Sequence, residues 1–259
     1  MRGSSIIVIL GGMLLLSGCG MTSTKFSETS PLKEVSFVTP IPYEKGKLQE
    51  EYPAWFDDDG NIVYPIKPGT KEYNKLYKKL SGDYSEVVKE AGMPKDLVDR
   101  LDTETLLQGV EDSPFRLAFA YYDTLQVALE SESLQDYGFS ELLRREDAYR
   151  AAAKSYMSRD IKAVEREEVS GEKQEEICGL MTRVLLEEYL ILSKHGYEAM
   201  TEQEREQIWR AMQNNRLEEQ ELEWAVPQGV EPEEGENNFE MLLNQQGNPW
   251  KKYADEVRN

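Results

Sequence analysis

Apolar residues recur at intervals of three and four positions through most of the chain between residues 70 and 225. On a helix this spacing gathers the apolar side chains on one face, whereas a half-buried strand alternates apolar and polar residues. Segments with the helical spacing begin near residues 70, 83, 94, 103, 113, 139, 172 and 201. Their lengths differ too much for a regular repeat protein. The sequence therefore predicts an all-α domain over residues 70–225, an irregular bundle of six to eight helices.

Local signals mark several of the helix ends. A proline at a first helical position opens a predicted helix over about 113–130. Thr201 begins a capping-box pattern that predicts the start of the last helix. Gly196 fits a C-cap after a helix over about 172–194. His195 would then be a cation in the last turn of that helix, where the helix dipole favours positive charge.

Three segments outside the helical domain differ from it in composition. Residues 19–48 contain prolines and lack the helical spacing, so we expect a flexible tether there. Residues 49–69 carry aromatic residues on both sides of an Asp-Gly pair, which predicts an extended aromatic arm or a small hairpin. Residues 226–259 accumulate glutamate, which predicts an acidic disordered tail. The tail contains an aromatic-basic patch, Pro249–Tyr253, that could dock on the acidic domain.

The first residues of the chain form a pattern typical of protein export. A basic residue precedes an apolar run over Ile6–Leu16, and small residues follow the run. The run is shorter than the ~20 apolar residues that a membrane-spanning helix needs. The four residues Leu16-Ser17-Gly18-Cys19 resemble the lipobox of bacterial lipoproteins. The resemblance implies that residues 1–18 are a signal peptide that is removed, and that Cys19 carries a diacylglyceryl thioether.

A lipid on Cys19 would place the protein on the extracytoplasmic side of the cell membrane. It would lie in the outer leaflet of the plasma membrane or, in a two-membrane cell, in the outer membrane. The stretch from Met93 to Ala148 is loosely similar to helical segments of uncharacterised exported bacterial proteins. That second resemblance implies no activity.

Charge and residue usage exclude several classes of function. The chain has 49 acidic and 30 basic residues, a net charge of −19, which opposes binding to the phosphates of nucleic acid. His195 and Cys178 are the only His and Cys after Cys19, too few for a zinc site. An EF-hand loop on the acidic stretch 57–61 would place Trp55 first and Ile66 last, where carboxylates are needed, so we predict a plain turn; a weaker hairpin-type ion site is the alternative. We expect no nucleic-acid partner, no metal and no cofactor.

Two features of the sequence suggest binding. Trp55, Phe56 and Tyr64 are candidate ligand-binding residues because aromatic rings stack on sugars and peptides; alternatively, they pack the arm onto the helices. A stripe of lysines near the tether could face an anionic membrane or a cell-wall polymer; alternatively, it is a solvated helix face. The stripe consists of Lys71, Lys75, Lys78 and Lys79.

These observations predict a lipid-anchored bacterial lipoprotein with no catalytic residues. The expected function is that of a non-catalytic surface interaction module, whose partner is a protein or an envelope polymer. One alternative is a lipoprotein that binds carbohydrate or peptide through the N-terminal aromatic residues. Another is an enzyme that works with carboxylates alone, because the many acidic residues offer countless pairs.

Overall fold

A computed structural model describes residues 44–115, 135–159, 171–219, 242–244 and 247–258. All of them belong to one compact unit, Val35–Asn259. The described residues form eleven α-helices, one 3-10 turn and the β-bridge between Phe56 and Ile62, which confirms the predicted all-α class. The helices are α1 (Lys45–Glu51), α2 (Lys71–Lys79), α3 (Tyr84–Ala91), α4 (Lys95–Val98), α5 (Thr103–Glu111), α6 (Tyr137–Leu142), α7 (Ala148–Ser158), α8 (Gly171–Ile191), α9 (Lys194–Ala199), α10 (Glu202–Glu219) and α11 (Pro249–Arg258).

Side-chain caps explain where several helices begin. Thr70, Asp83 and Asp102 precede α2, α3 and α5, and each side chain accepts a hydrogen bond from the backbone amide three residues later. The predicted capping box of α10 is also present. The hydroxyl of Thr201 accepts from the amide of Glu204 at 3.2 Å, and the carboxylate of Glu204 accepts from the amide of Thr201 at 2.7 Å. The predicted helix 113–130 lies outside the described residues beyond residue 115.

The predicted end of the helix over 172–194 is wrong. Helix α8 ends at Ile191, and Ser193 then caps a new helix, α9, by accepting from the amide of Gly196 at 2.9 Å. Gly196 therefore lies inside α9 rather than at a C-cap, and His195 lies in the first turn of α9. The glycine is needed for close approach, because a Cβ there would lie 2.3 Å from the carbonyl oxygen of Ile191.

The core lies between α5, α7 and α8, with α6 and α10 against its sides. Small residues on α7, including the fully buried Ala152, let this helix approach its neighbours closely. Larger apolar side chains from the facing helices fill the space around it. They include Leu106 and Val110 on α5, Leu142 on α6, Val184 and Ile191 on α8, and Ile208 and Met212 on α10.

The C-terminal part of the predicted disordered tail is a helix. Pro249–Arg258 form α11, and Trp250 is fully buried between Tyr197 and Trp209, with ring centroids 5.3 and 6.0 Å away. The prediction of disorder is therefore wrong for this stretch, because burial of the indole offsets the entropy of ordering it. The predicted docking of the aromatic-basic patch is confirmed. Residues 226–241 lie outside the described residues.

The tether ends earlier than the predicted residue 48. Residues 45–51 form α1, and Leu48 on this helix is buried in the core. Glu51, in the last turn, pairs with Arg100, and the hydroxyl of Tyr52 donates to Asp96. The rest of the predicted tether, residues 19–43, lies outside the described residues.

The aromatic arm contains one hairpin-like turn. Phe56 and Ile62 form an antiparallel bridge, and the amide of Asp57 donates to the carbonyl of Asn61 at 3.0 Å. Gly60 has φ +80° inside the turn, a conformation that favours glycine. The arm is thus a short turn held by a single bridge. In the described part of the chain, no helix has the length and apolar character required to cross a membrane.

Candidate functional site

The three aromatic residues proposed as a ligand site do not form an exposed platform. Phe56 and Tyr64 are buried, and Trp55 is half-buried with its ring 5.4 Å from that of Tyr64 in an edge-on arrangement. Tyr64 also contacts Phe115 edge-on at 6.2 Å. A ligand could therefore reach only part of the Trp55 ring.

Polar contacts attach the arm to α5. The hydroxyl of Tyr64 donates to the carbonyl of Gly109 at 3.0 Å. The side chain of Gln108 accepts from the amide of Ile62 at 2.8 Å and donates to its carbonyl at 3.2 Å, as a neighbouring strand would. These contacts support the structural alternative stated above, in which the rings pack the arm onto the helices.

A buried ionic cluster lies where α5, α7 and α8 meet. We call it the Arg159 cluster; it contains Arg159, Glu111 and Glu187. The Nη2 of Arg159 lies 2.6 Å from Glu111 Oε2 and 2.7 Å from Glu187 Oε1, and its Nε lies 2.8 Å from Glu187 Oε2. Glu187 is completely buried and the Glu111 side chain is 7% exposed. One guanidinium thus bridges two carboxyl groups in the interior.

The Arg159 cluster has an unbalanced charge unless one carboxyl is protonated. Burial, together with the negative charge of Glu187, raises the pKa of Glu111 to about 8, although Arg159 opposes both effects. Glu111 therefore keeps a proton at neutral pH, which leaves one carboxylate and one guanidinium in the cluster. Glu111 Oε1 has no hydrogen-bond partner among the described residues, so no donor there stabilises the charged form of the carboxyl group.

Sequence reasoning missed the members of the Arg159 cluster. A signal was nevertheless present in the spacing of the acids. Glu187 and Glu188 lie between Val184 and Ile191 at positions three and four after the valine, so the apolar spacing places both acids on the buried face. Glu188 is indeed buried, and it accepts from the hydroxyl of Tyr156 at 2.9 Å.

A second buried ion pair stabilises the chain between α6 and α7. Arg145 Nε lies 2.9 Å from Glu141 Oε1, and both side chains are buried. The same guanidinium donates to the carbonyls of Val98 and Leu101 at 3.2 Å, where α4 has ended. All of these partners are internal, so the pair joins segments of the fold to one another.

The remaining candidate ligands do not form a reactive centre in the described structure. Cys19, the predicted lipid site, lies outside the described residues. Cys178 lies on α8 and His195 on α9, so they occupy different helices. The described residues contain no group of three His, Cys, Asp or Glu side chains positioned to hold a metal ion.

Helix α2 presents a basic surface to solvent. We call it the lysine face of α2. Tyr73, Leu76 and Tyr77 are half-buried on the inner side of this helix, and Tyr73 stacks on the buried Phe115 at 6.4 Å. The lysines on the other side are all exposed. They are Lys71, Lys75, Lys78 and Lys79. This arrangement confirms that the four lysines form a stripe on one exposed side of the helix.

No protein-family model, no curated protein and no solved structure matches this chain.

Proposed function

We propose that this chain is a bacterial lipoprotein and that its helical domain is a non-catalytic interaction module on the extracytoplasmic side of the membrane. Its partner in this proposal is a second protein or an envelope polymer. The observation that carries the proposal is the lipobox-like sequence Leu16-Ser17-Gly18-Cys19 directly after a short apolar run.

The pairing of buried charges in the described structure supports the proposal that the module is non-catalytic. Arg159 and Arg145 each pair with glutamates that are themselves buried. The raised pKa of Glu111 follows from this burial, and a protonated Glu111 completes the charge balance of the Arg159 cluster. These groups hold helices together, which is a structural use of ionic side chains.

Mass spectrometry of the protein extracted from native membranes tests the anchor. We expect a mature N-terminus at Cys19 that carries the mass of a diacylglyceryl group. A Cys19→Ala variant should be lost from the membrane fraction, while a Cys178→Ala variant, the matched control, should keep the lipid. An unlipidated product cleaved elsewhere would contradict the anchor.

Binding of the unlipidated chain Gly20–Asn259 to isolated cell envelopes tests the module. We expect saturable binding. Sensitivity of that binding to prior protease treatment of the envelopes would identify a protein partner, and resistance would identify a polymer. Binding that does not saturate would contradict an interaction module.

A further inference from the structure

We propose that the lysine face of α2 docks on the anionic lipid headgroups of the leaflet that holds the protein. This inference rests on the proposed function, because it takes a membrane anchor at Cys19 as given. It adds an orientation: α2 faces the bilayer, and the acidic remainder of the domain faces away from it.

Helix geometry separates the lysines of α2 from its apolar side chains. Successive residues of a helix are about 100° apart around its axis, so Lys71, Lys75 and Lys78, with the neighbouring Lys79, fall within an arc of roughly 100°. Tyr73, Leu76 and Tyr77 fall in an arc of similar width on the opposite side. Because Tyr73 stacks on Phe115 and Leu76 packs against the core, the lysines project away from the protein.

The lysines of this face have no ionic partner, unlike most exposed lysines on the other described helices. Within the described part of the chain, none of the four forms an ion pair. Lys45 and Lys251 also form no ion pair, but most lysines on the other described helices pair with a nearby acid. Examples are Lys89 with Glu86 at 2.7 Å, Lys154 with Glu104 at 2.7 Å, Lys194 with Glu198 at 3.6 Å and Lys252 with Glu256 at 3.6 Å.

The positive charge of α2 contrasts with the negative net charge of the whole chain. In a chain with 49 acidic and 30 basic residues, α2 carries four lysines and only one acid, Glu72. Lys67, which is also exposed and unpaired with any described acid, extends the basic surface toward the N-terminus. Five lysines thus lie close together on one solvent-facing surface with a single acid among them, and such a surface complements an anionic plane.

The position of α2 in the chain favours a bilayer over other anionic partners. Only residues 20–43 separate Cys19 from the first described residue, and a segment of that length reaches at most roughly 80 Å. The anchored domain thus meets the leaflet at a high effective concentration. Each lysine near an anionic leaflet contributes about fivefold to the binding constant. Acyl chains retain the protein, and the lysines then select which side of it faces the lipid.

Lysine acetylation on vesicles tests the inference residue by residue. The chain Gly20–Asn259 retains every described helix and can be held on vesicles by an N-terminal hexahistidine tag and a nickel-chelating lipid. The tag replaces the lipid of Cys19, so the test does not depend on lipidation. Acetylation rates are read by peptide mass spectrometry on phosphatidylcholine vesicles with and without phosphatidylglycerol.

We expect phosphatidylglycerol to slow acetylation of Lys71, Lys75, Lys78 and Lys79 by about threefold or more, and 0.5 M salt to remove the effect. The paired lysines Lys89, Lys154, Lys194 and Lys252 serve as internal controls and should react equally on both vesicles. Equal rates for the lysine face, or equal slowing at all eight lysines, would overturn the inference. Slowing by a soluble anionic polymer without slowing on vesicles would also overturn it, and would assign the face to the polymer.

A charge-reversal pair completes the test. Lys71→Glu with Lys75→Glu should abolish the protection of Lys78 and Lys79, whereas Lys154→Glu with Lys194→Glu, which changes the net charge equally, should preserve it. Protection that survives the first pair would overturn the docking. If the vesicle result holds and Cys19 carries no lipid in cells, the docking surface stands and the proposed anchor fails.

Discussion

The indole nitrogen of Trp250 donates a hydrogen bond of 2.9 Å to the carbonyl oxygen of Ile191, the last residue of α8. The side chain of Asn248, just before α11, donates to the carbonyl of Leu192 at 3.1 Å. Carbonyl groups at the C-terminal end of a helix have no partner within the helix. Helix α11 therefore supplies donors for the end of α8 and covers it with an aromatic ring.

Replacing Trp250 with alanine should lower the free energy of unfolding by about 3–5 kcal/mol. The fully buried ring and its hydrogen bond would both be lost. Urea denaturation followed by circular dichroism measures the change. The control is Val257→Ala on the same helix, where the side chain is 56% exposed and we expect a change within about 0.5 kcal/mol. Equal effects of the two substitutions would contradict the docking of α11.

Replacing Arg159 with methionine should destabilise the fold by about 3–5 kcal/mol at neutral pH. The substitution leaves the fully buried carboxylate of Glu187 without its cation. Arg210→Met is the control, since Arg210 pairs with Glu206 on an exposed surface and such pairs contribute about 1 kcal/mol or less. A loss of similar size in both variants would show that the Arg159 cluster is not sealed from solvent.

The raised pKa of Glu111 predicts a pH dependence with a definite sign. The folded protein retains this proton up to about pH 8, whereas the unfolded chain releases it near its ordinary pKa. Stabilisation by the proton is complete below that ordinary pKa, and it is lost as pH rises through the pKa of the folded state. The contribution of Glu111 to the free energy of unfolding should thus fall between about pH 4.5 and pH 8.

Glu111→Gln isolates this effect, because glutamine resembles the protonated acid and does not titrate. We expect the variant to be close to wild type in stability near pH 5 and more stable than wild type at pH 9. The control is Glu104→Gln on the same helix, at an exposed ion pair. Its stability relative to wild type should not rise in this way between pH 5 and pH 9. A constant difference between Glu111→Gln and wild type across this range would contradict a buried proton.

Replacement of glycine by alanine should have opposite effects on stability at Gly196 and at Gly179. A Cβ at Gly196 would lie 2.3 Å from the backbone oxygen of Ile191, and at Gly179 it would meet nothing within 4 Å. Gly196→Ala should therefore destabilise by about 1–3 kcal/mol, because backbone must shift. Gly179→Ala, inside α8, should stabilise by up to about 1 kcal/mol through helix propensity. Thermal melts of both variants measure the difference, and destabilisation by both would contradict the free space at Gly179.

Local signals explain how much of the fold could be predicted. Helices α2, α3 and α5 begin next to short polar caps, Thr70, Asp83 and Asp102, so their starts agree closely with the spacing of apolar residues. Capping and amphipathic spacing act within one or two turns, and a single sequence shows them directly. The all-α class follows from the same information.

Some features of the fold could not be predicted from the sequence because they depend on packing between helices. Gly196 looked like a helix end, but it lies inside α9 because its backbone must pass close to Ile191. Trp250 looked like part of an acidic tail, and only its contacts with α9 and α10 show that it belongs to the core. Residue type alone does not distinguish Glu111 and Glu187 from the exposed acids. Their burial is possible because Arg159 pairs with both carboxyl groups. The contacts of Trp250, Glu111 and Glu187 join positions far apart in the chain, whereas Gly196 meets Ile191 just five positions earlier.

The Ile191–Trp250 contact joins residues 59 positions apart, which sets an order of assembly during biosynthesis. A polypeptide that leaves the ribosome or a translocation channel N-terminus first exposes α8 and α9 before α11 exists. The apolar surfaces that Trp250 covers are then accessible to chaperones and export factors. The surfaces that the Trp250 ring covers can therefore be buried only after α11 has emerged.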